Sequence, residues 1–161
     1  MNSGRKKLLL AVGVLLTLAF TLSFSTEPGL CVFPCENPNA YSPGYWMNHP
    51  EAWPVDSLTI GYDTFTKGEI IALMQLPVVN DKTLTMFPSL VAAMLNVRIG
   101  HCDCEFNVWA LIGETQDWFR HYPVGSGITA DSDAWQYSHG ENIYMRLDAF
   151  NNGLTCVYPT P

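Results

Sequence analysis

Side chains that could do chemistry are concentrated in residues 44–54, which we call the aromatic segment. Its reactive and aromatic members are Tyr45, Trp46, Asn48, His49, Glu51 and Trp53. Imidazole and carboxylate suit zinc in an open catalytic site, so His49 and Glu51 could begin a metal site. The other histidines that could complete it are His101, His121 and His139, and they follow no metal-binding spacing. We therefore expect no metal, and favour a structural role in which His49 ties its turn to a backbone carbonyl or a neighbouring acid.

The same segment suits recognition of another molecule. Trp and Tyr rings supply much of the binding energy at protein interfaces, and their flat faces could also stack on a sugar ring. The candidate binding residues are Tyr41, Tyr45, Trp46, Asn48, His49, Glu51 and Trp53. The alternative is that the rings fill the core. We favour the core for Trp46 and Trp53, whereas Tyr41 and Tyr45 stay open between the two interpretations.

The N-terminus predicts export from the cell. Arg5, Lys6 and Lys7 form a basic region and residues 8–22 are apolar. Ser23 and Ser25 then supply the small side chains that a signal peptidase requires. The apolar run is shorter than the roughly 20 residues that span a bilayer. We therefore expect a cleaved signal peptide, residues 1–25, and a secreted or cell-surface protein.

The charge of the chain excludes whole classes of partner. Its net charge is −7, and removal of residues 1–25 leaves five Lys or Arg against fifteen Asp or Glu, a net charge of −10. The basic residues are scattered, so nothing in the mature chain attracts nucleic acid or anionic lipid. Contact with a membrane is expected only through the signal segment.

Five cysteines remain after cleavage, and in an oxidising compartment they are disulfide candidates. They are Cys31, Cys35, Cys102, Cys104 and Cys156. Cys102 and Cys104 are too close in sequence for an unstrained bridge to each other, so we favour at least one link from this pair to Cys31 or Cys35. The pairing and the identity of the odd thiol stay open.

Two further polar groups favour structural roles. The run 101–104, His-Cys-Asp-Cys, could hold an activated thiol, but cysteines of an exported chain are far more often bridged. Asp131 and Asp133 could bind calcium, yet the further ligands of a recognised loop are missing, and helix capping is the better interpretation. We therefore assign no catalytic residue, no metal and no cofactor.

Apolar periodicity predicts helices after the aromatic segment. Thr66 and Glu69 have the spacing of a capping box, which predicts a helix over about residues 67–75. Apolar residues at steps of three and four predict a second helix over about residues 83–97. Pro88 fits that helix only near its first turn or at a kink.

Two more helices are expected in the second half of the chain. The third begins near residue 104 or 105 and has doubtful continuity at Gly113, and a loop follows over residues 122–127. Residues 131–133 offer N-cap choices for what comes next. The last helix begins at about Glu141 and stops at residues 151–153, Asn-Asn-Gly.

These elements predict an all-α fold of about four helices, with an irregular N-terminal arm pinned by disulfides. Strand signals are weak, since only residues 58–65 alternate. The expected division is a signal peptide (1–25), an extended, proline-containing leader (26–43) and a single helical domain (44–161), which is large enough to fold alone.

Several parts of the chain together resemble a family of exported bacterial domains whose activity is uncharacterised. The family signature reads Gly-Tyr-Trp-Lys-Asn-His-Pro, and the matching parts here are the aromatic segment and residues 90–97, 110–113 and 150–153. The resemblance covers roughly residues 41–156. It implies secretion or surface display and a compact helical module, and it implies no particular activity. Met47 and Met94 stand where the family usually has lysine, so any role of those lysines is lost here.

Three hypotheses follow. The favoured one is an exported structural or interaction module without catalysis, which contacts protein or cell-surface material through the aromatic segment. The second is a glycan-binding module, which requires at least two coplanar, exposed rings. The least favoured is a metal-dependent hydrolase, which requires a second histidine at ligand distance from His49. The oligomeric state is not predicted.

Overall fold

The structure is a computed structural model that describes residues 40–78, 80–101 and 107–154. These residues belong to one compact unit and are mostly helical. In chain order their elements are α1 (Pro43–Asn48), a 3₁₀ helix (Pro50–Ala52), β1 (Ser57–Ile60), β2 (Asp63–Thr66), α2 (Lys67–Met74), α3 (Lys82–Arg98), α4 (Val108–His121), α5 (Asp133–Gln136) and α6 (Gly140–Asn151). The predicted signal peptide, residues 26–39 of the leader and all five cysteines lie outside the described residues, so the disulfide-pinned arm stays a prediction.

Helix α3 forms the centre of the core. From Met86 to Val97 every residue except Pro88 is buried, the polar Ser89 and Asn96 included. Helices α6, α4, α1 and α2 all pack against it. The predicted second helix is confirmed, although Pro88 is its seventh residue rather than part of its first turn. Neither α3 nor any other helix in the described ranges is long and apolar enough to cross a membrane.

The capping box before α2 forms as predicted. The Thr66 hydroxyl accepts a hydrogen bond from the Glu69 amide at 3.4 Å, and the Glu69 carboxylate accepts one from the Thr66 amide at 2.7 Å. The amides of Thr66 and Glu69 at the helix start are therefore satisfied. The helix spans Lys67–Met74, within one residue of the expected range.

A β-hairpin lies where the sequence shows only weak alternation. Strands β1 and β2 pair antiparallel, with Ile60 opposite Asp63, and Gly61 takes a φ of +63° at the first position of the two-residue turn, as a type II′ turn requires. The Gln116 side chain of α4 accepts from the Gly61 amide at 2.7 Å and donates to the Thr59 carbonyl at 2.8 Å. The fold is thus mostly helical, with this small sheet docked on α4.

The predicted loop over residues 122–127 is fastened to the start of α3. The buried Asp81 carboxylate accepts from the amide and hydroxyl of Thr83 and, through its other oxygen, from the Gly127 amide at 3.0 Å. The Thr83 hydroxyl in turn accepts from the Gly125 amide at 2.8 Å. The loop is therefore ordered by side chains that also cap α3, which its glycines alone would not suggest.

The number of helices differs from the expected four, since six α-helices lie in the described ranges. The additional ones are α1 and α5, which have six and four residues and are too short to show a period. Helix α4 runs through Gly113 without a break, so the doubt about its continuity was wrong. The predicted stop of the last helix is confirmed, since α6 ends at Asn151 and Gly153 takes a φ of +68° just beyond it.

Candidate functional site

The aromatic segment folds into two short helices. Ser42 caps α1 by accepting a hydrogen bond from the Tyr45 amide at 3.2 Å, and Pro43 occupies the first helical position, where a missing N–H costs nothing. His49 ends α1, and Pro50 opens the 3₁₀ helix. Because a helix of six residues is not stable alone, contacts with the rest of the domain must hold it.

Both indoles of the segment point into the core. Trp46 is fully buried and Trp53 is 7% exposed. The Trp53 indole N–H donates to the Trp46 carbonyl at 2.8 Å, and the Trp46 indole N–H donates to the Asn96 side-chain oxygen at 3.1 Å. The two tryptophans therefore anchor the segment, and neither presents a ring to a partner.

A buried amide of α3 fixes the start of the segment. The side-chain oxygen of Asn96 also accepts from the Tyr41 amide at 2.9 Å, while its nitrogen donates to the Tyr41 carbonyl at 2.8 Å. The same nitrogen donates to the Asn151 side-chain oxygen at 3.1 Å, and Asn151 donates to the Ser89 carbonyl at 2.8 Å. All four hydrogen-bonding positions of the Asn96 amide are filled, so α1, α3 and α6 share one polar network.

On the outward side, three rings spaced four residues apart form a stack. The Tyr41 and Tyr45 rings lie 4.0 Å apart at 14°, and the Tyr45 and His49 rings lie 4.3 Å apart at 16°. Two rings cannot share one face at these distances, so Tyr41 and His49 cover opposite faces of Tyr45. We call this arrangement the ring stack, and His49 is its exposed end.

The orientation of His49 is fixed by its own helix. Its Nδ1 lies 2.9 Å from the Tyr45 carbonyl oxygen. A carbonyl only accepts, so Nδ1 carries the hydrogen and the neutral ring has its lone pair on Nε2. The expectation that His49 ties its turn to a backbone carbonyl is thereby confirmed. One face of the ring rests on Tyr45, and His49 as a whole is exposed.

The two remaining polar candidates, Asn48 and Glu51, differ in their surroundings. The Asn48 side chain donates to the Gly44 carbonyl at 2.8 Å, which stabilises the turn. Glu51 is exposed and makes no ion pair or side-chain hydrogen bond with any described residue. The nearby Lys67 ammonium pairs instead with Asp56 at 3.3 Å and donates to the Pro50 carbonyl at 3.3 Å. The carboxylate of Glu51 is therefore available to a partner.

The four histidines lie in different surroundings. His101 is buried with its ring edge-on to Tyr41 at 5.2 Å, and His121 places Nδ1 2.8 Å from the Asp117 carbonyl. His139 precedes α6 with a φ of +61°. Across residues 40–78, 80–101 and 107–154, no three His, Cys, Asp or Glu side chains are placed to hold a metal ion. No observation in these ranges favours the hydrolase hypothesis.

Two exposed carboxylates away from the segment have lowered pKa values. Hydrogen bonds from the Thr66 amide and hydroxyl lower the pKa of Glu69. The Thr129 hydroxyl, 2.6 Å from Asp131, lowers the pKa of that carboxyl. Next to it, the Ser132 side chain caps α5. Capping and turn formation therefore account for residues 131–133.

The residues that sequence reasoning missed are the two buried asparagines. Asn96 is fully buried and Asn151 is 1% exposed. Their signal was faint: Asn96 is the one amide in the apolar run 90–97. A polar group in such a run must find partners, but its partner Tyr41 is 55 residues away.

The chain was compared with protein-family models, with curated proteins and with solved structures. None of the three comparisons finds a match. The resemblance to a family of exported domains therefore stays a prediction, and the function must be argued from the geometry of the segment.

Proposed function

We propose that this protein is a non-catalytic contact module that meets a protein partner through the outward side of the aromatic segment. The observation that carries the proposal is the ring stack. Its tyrosines and its histidine are held in fixed orientations, and Glu51, two residues after its exposed end, is an exposed carboxylate with no partner among the described residues.

Rigidity is what makes this surface suited to binding. The Tyr41 backbone is held by Asn96, and Trp46 and Trp53 anchor the rest of the segment in the core. Tyrosine offers a large contact area with few rotatable bonds. A partner that binds an ordered surface loses little additional conformational entropy, so even a small surface of this kind supports specific contact.

Glycan binding is the alternative, and the stacking of the rings makes it less favoured. A sugar ring packs on an open aromatic face, yet both faces of Tyr45 are covered by other rings. Trp46 and Trp53 are buried. The rings are parallel but lie on top of one another rather than side by side, so a sugar would reach their edges and one face of His49.

The proposal includes export, because the contact surface would meet its partner outside the cell. The basic and apolar N-terminus supports a signal peptide over residues 1–25. Disulfides among the five cysteines would stabilise the domain in that compartment. Mass spectrometry of the non-reduced, secreted protein would measure the cleavage site and count the free thiols.

The test is capture of partners from the native envelope or culture medium with the purified mature protein. Tyr45→Ala and His49→Ala remove the outward rings and leave both indoles in place. Tyr137→Ala is the matched control, since this tyrosine is 75% exposed and lies outside the segment. We expect a protein that is captured by wild type and Tyr137→Ala and lost with the other two. Equal capture by all four would refute contact through the segment, and release by free sugars would favour the glycan alternative.

A further inference from the structure

The exposed end of the ring stack has the features of a site for one particular side chain. We propose that the outer face of His49, together with Glu51, receives an arginine of the partner protein. This inference rests on the proposed contact function and names the chemistry of the partner. Three observations support it: an exposed aromatic ring held on Tyr45, an exposed carboxylate two residues later with no partner among the described residues, and the negative charge of the chain.

The geometry of the stack favours a flat group. The spacing of the three rings, 4.0 and 4.3 Å between centroids, is that of face-to-face contact. Tyr45 covers the inner face of His49, and no ring in the described part of the chain covers the outer face. A fourth planar group can extend the stack there. The Nδ1 hydrogen bond to the Tyr45 carbonyl keeps the imidazole in place, so no reorientation is needed before binding.

The charge of the site favours a cation. Glu51, two residues after His49, is the one formally charged side chain in residues 44–54. Lys67 does not neutralise it, because that ammonium contacts Asp56 and the Pro50 carbonyl. The chain as a whole has a net charge of −7, and −10 without residues 1–25, which attracts basic partners at long range.

Arginine is the side chain that satisfies both requirements. Its guanidinium is planar, stacks on aromatic faces and pairs with carboxylates through a fork of N–H donors, whereas the lysine ammonium is a compact point charge. A second copy of this chain is a poor occupant, because it would bring the same carboxylate and the same net charge to the contact.

The test measures binding of short peptides by NMR titration, following the ring protons of His49 and Tyr45 at a pH of about 8, where histidine side chains are ordinarily neutral. The probe is a capped glycine peptide with two arginines, and it is compared with its lysine and citrulline counterparts. Citrulline keeps the planar end group and removes the charge. The variants are His49→Ala and Glu51→Gln. The control is His121→Ala, an exposed histidine whose Nδ1 also lies at the carbonyl four residues before it.

We expect the arginine peptide to bind most tightly. His49→Ala and Glu51→Gln should each weaken it by about two- to five-fold, as expected of exposed cation–π and ion-pair contacts, and His121→Ala should leave it unchanged. Loss of the arginine-over-lysine preference in His49→Ala would support stacking directly. Equal binding of the arginine and lysine peptides, unaffected by His49→Ala, would mean attraction by net charge alone and would overturn the inference.

The same peptide separates this inference from the proposed function. If a protein is captured in a manner that depends on Tyr45 and the arginine peptide fails to compete, the contact function stands and the arginine site is wrong. If capture does not depend on Tyr45 or His49, the contact function itself fails. If the arginine peptide displaces the captured protein and the citrulline peptide does not, both the contact function and the arginine site are supported.

Discussion

Replacement of Asn96 by alanine tests whether the buried network holds the aromatic segment in place. The Asn96 side chain makes four hydrogen bonds, two with the Tyr41 backbone, one with the Trp46 indole and one with Asn151. Alanine removes all four and leaves a small void in the core. We expect a large loss of stability, and we expect the segment to loosen before the rest of the domain.

The magnitude follows from which groups stay buried without a partner. The Trp46 indole N–H and the Asn151 oxygen lie in the core, and each buried unsatisfied group costs about 1–3 kcal/mol. The Tyr41 backbone groups are half-buried, so water replaces part of what they lose. The higher helix propensity of alanine returns about 0.5 kcal/mol. The variant should therefore lose roughly 2–5 kcal/mol of its free energy of unfolding, a large part of the ~5–15 kcal/mol of a typical domain.

Urea unfolding followed by near-UV circular dichroism measures the loss, and exchange of the Trp46 indole hydrogen reports on the segment itself. Asn142→Ala is the matched control, because this asparagine is exposed on α6 and makes no side-chain hydrogen bond within the described ranges; it should change stability by less than about 0.5 kcal/mol. If Asn96→Ala loses under about 1 kcal/mol and the indole hydrogen stays protected, the network does not hold the segment.

Four further substitutions test local features. Gly61→Ala should lower the free energy of unfolding by about 2 kcal/mol or more, because a Cβ at this φ of +63° would lie 2.9 Å from the Phe119 carbonyl oxygen; an unchanged thermal midpoint would contradict this. Gly140→Ala should lower the free energy of unfolding, because its Cβ would lie 2.9 Å from a carbon of the Trp135 indole. Gly113→Ala has open space around its Cβ and should raise the free energy of unfolding by about 0.5–1 kcal/mol. If both variants shift the thermal midpoint in the same direction, packing around the Cβ does not decide the effect. Glu69→Gln tests the lowered pKa: the wild-type carboxylate stabilises the fold fully above its ordinary pKa of 4.5 and progressively less as the pH falls through its lower folded-state pKa. Urea unfolding at several pH values should show that the free energy of unfolding decreases less steeply below pH 4.5 in Glu69→Gln than in wild type. An identical pH dependence in the two proteins would count against the capping box.

Local signals in the sequence were sufficient for the longer helices. The Thr66 and Glu69 pair acts over three residues, and the period of α3 is visible within its own length. The ring stack had only a partial local signal. Tyr45 and His49 are four residues apart, a spacing that places side chains on one helix face, whereas Tyr41 precedes Ser42, the N-cap of α1. Tyr41 was missed because the prolines of the leader, residues 26–43, favoured an irregular interpretation of that part of the chain.

Long-range partners could not be predicted from a single sequence. The contact between Asn96 and Tyr41 joins residues 55 positions apart, and no spacing rule connects an amide with a backbone at that distance. The hairpin turn has a similar basis, since Gln116 holds it from another element. In both cases a polar side chain satisfies a distant backbone group, and only the fold determines which one.

The polar network and the proposed contact surface are physically linked, because the network positions the rings that a partner would touch. Asn96 fixes the Tyr41 backbone, the Tyr41 ring lies on Tyr45, and Tyr45 supports both the face and the Nδ1 hydrogen of His49. Loss of the hydrogen bonds between Asn96 and the Tyr41 backbone must therefore increase the mobility of the His49 ring. Binding of a partner would then have to order that ring again, at a cost in conformational entropy. It follows that a buried change at Asn96 should weaken partner contact even under conditions where most of the domain remains folded.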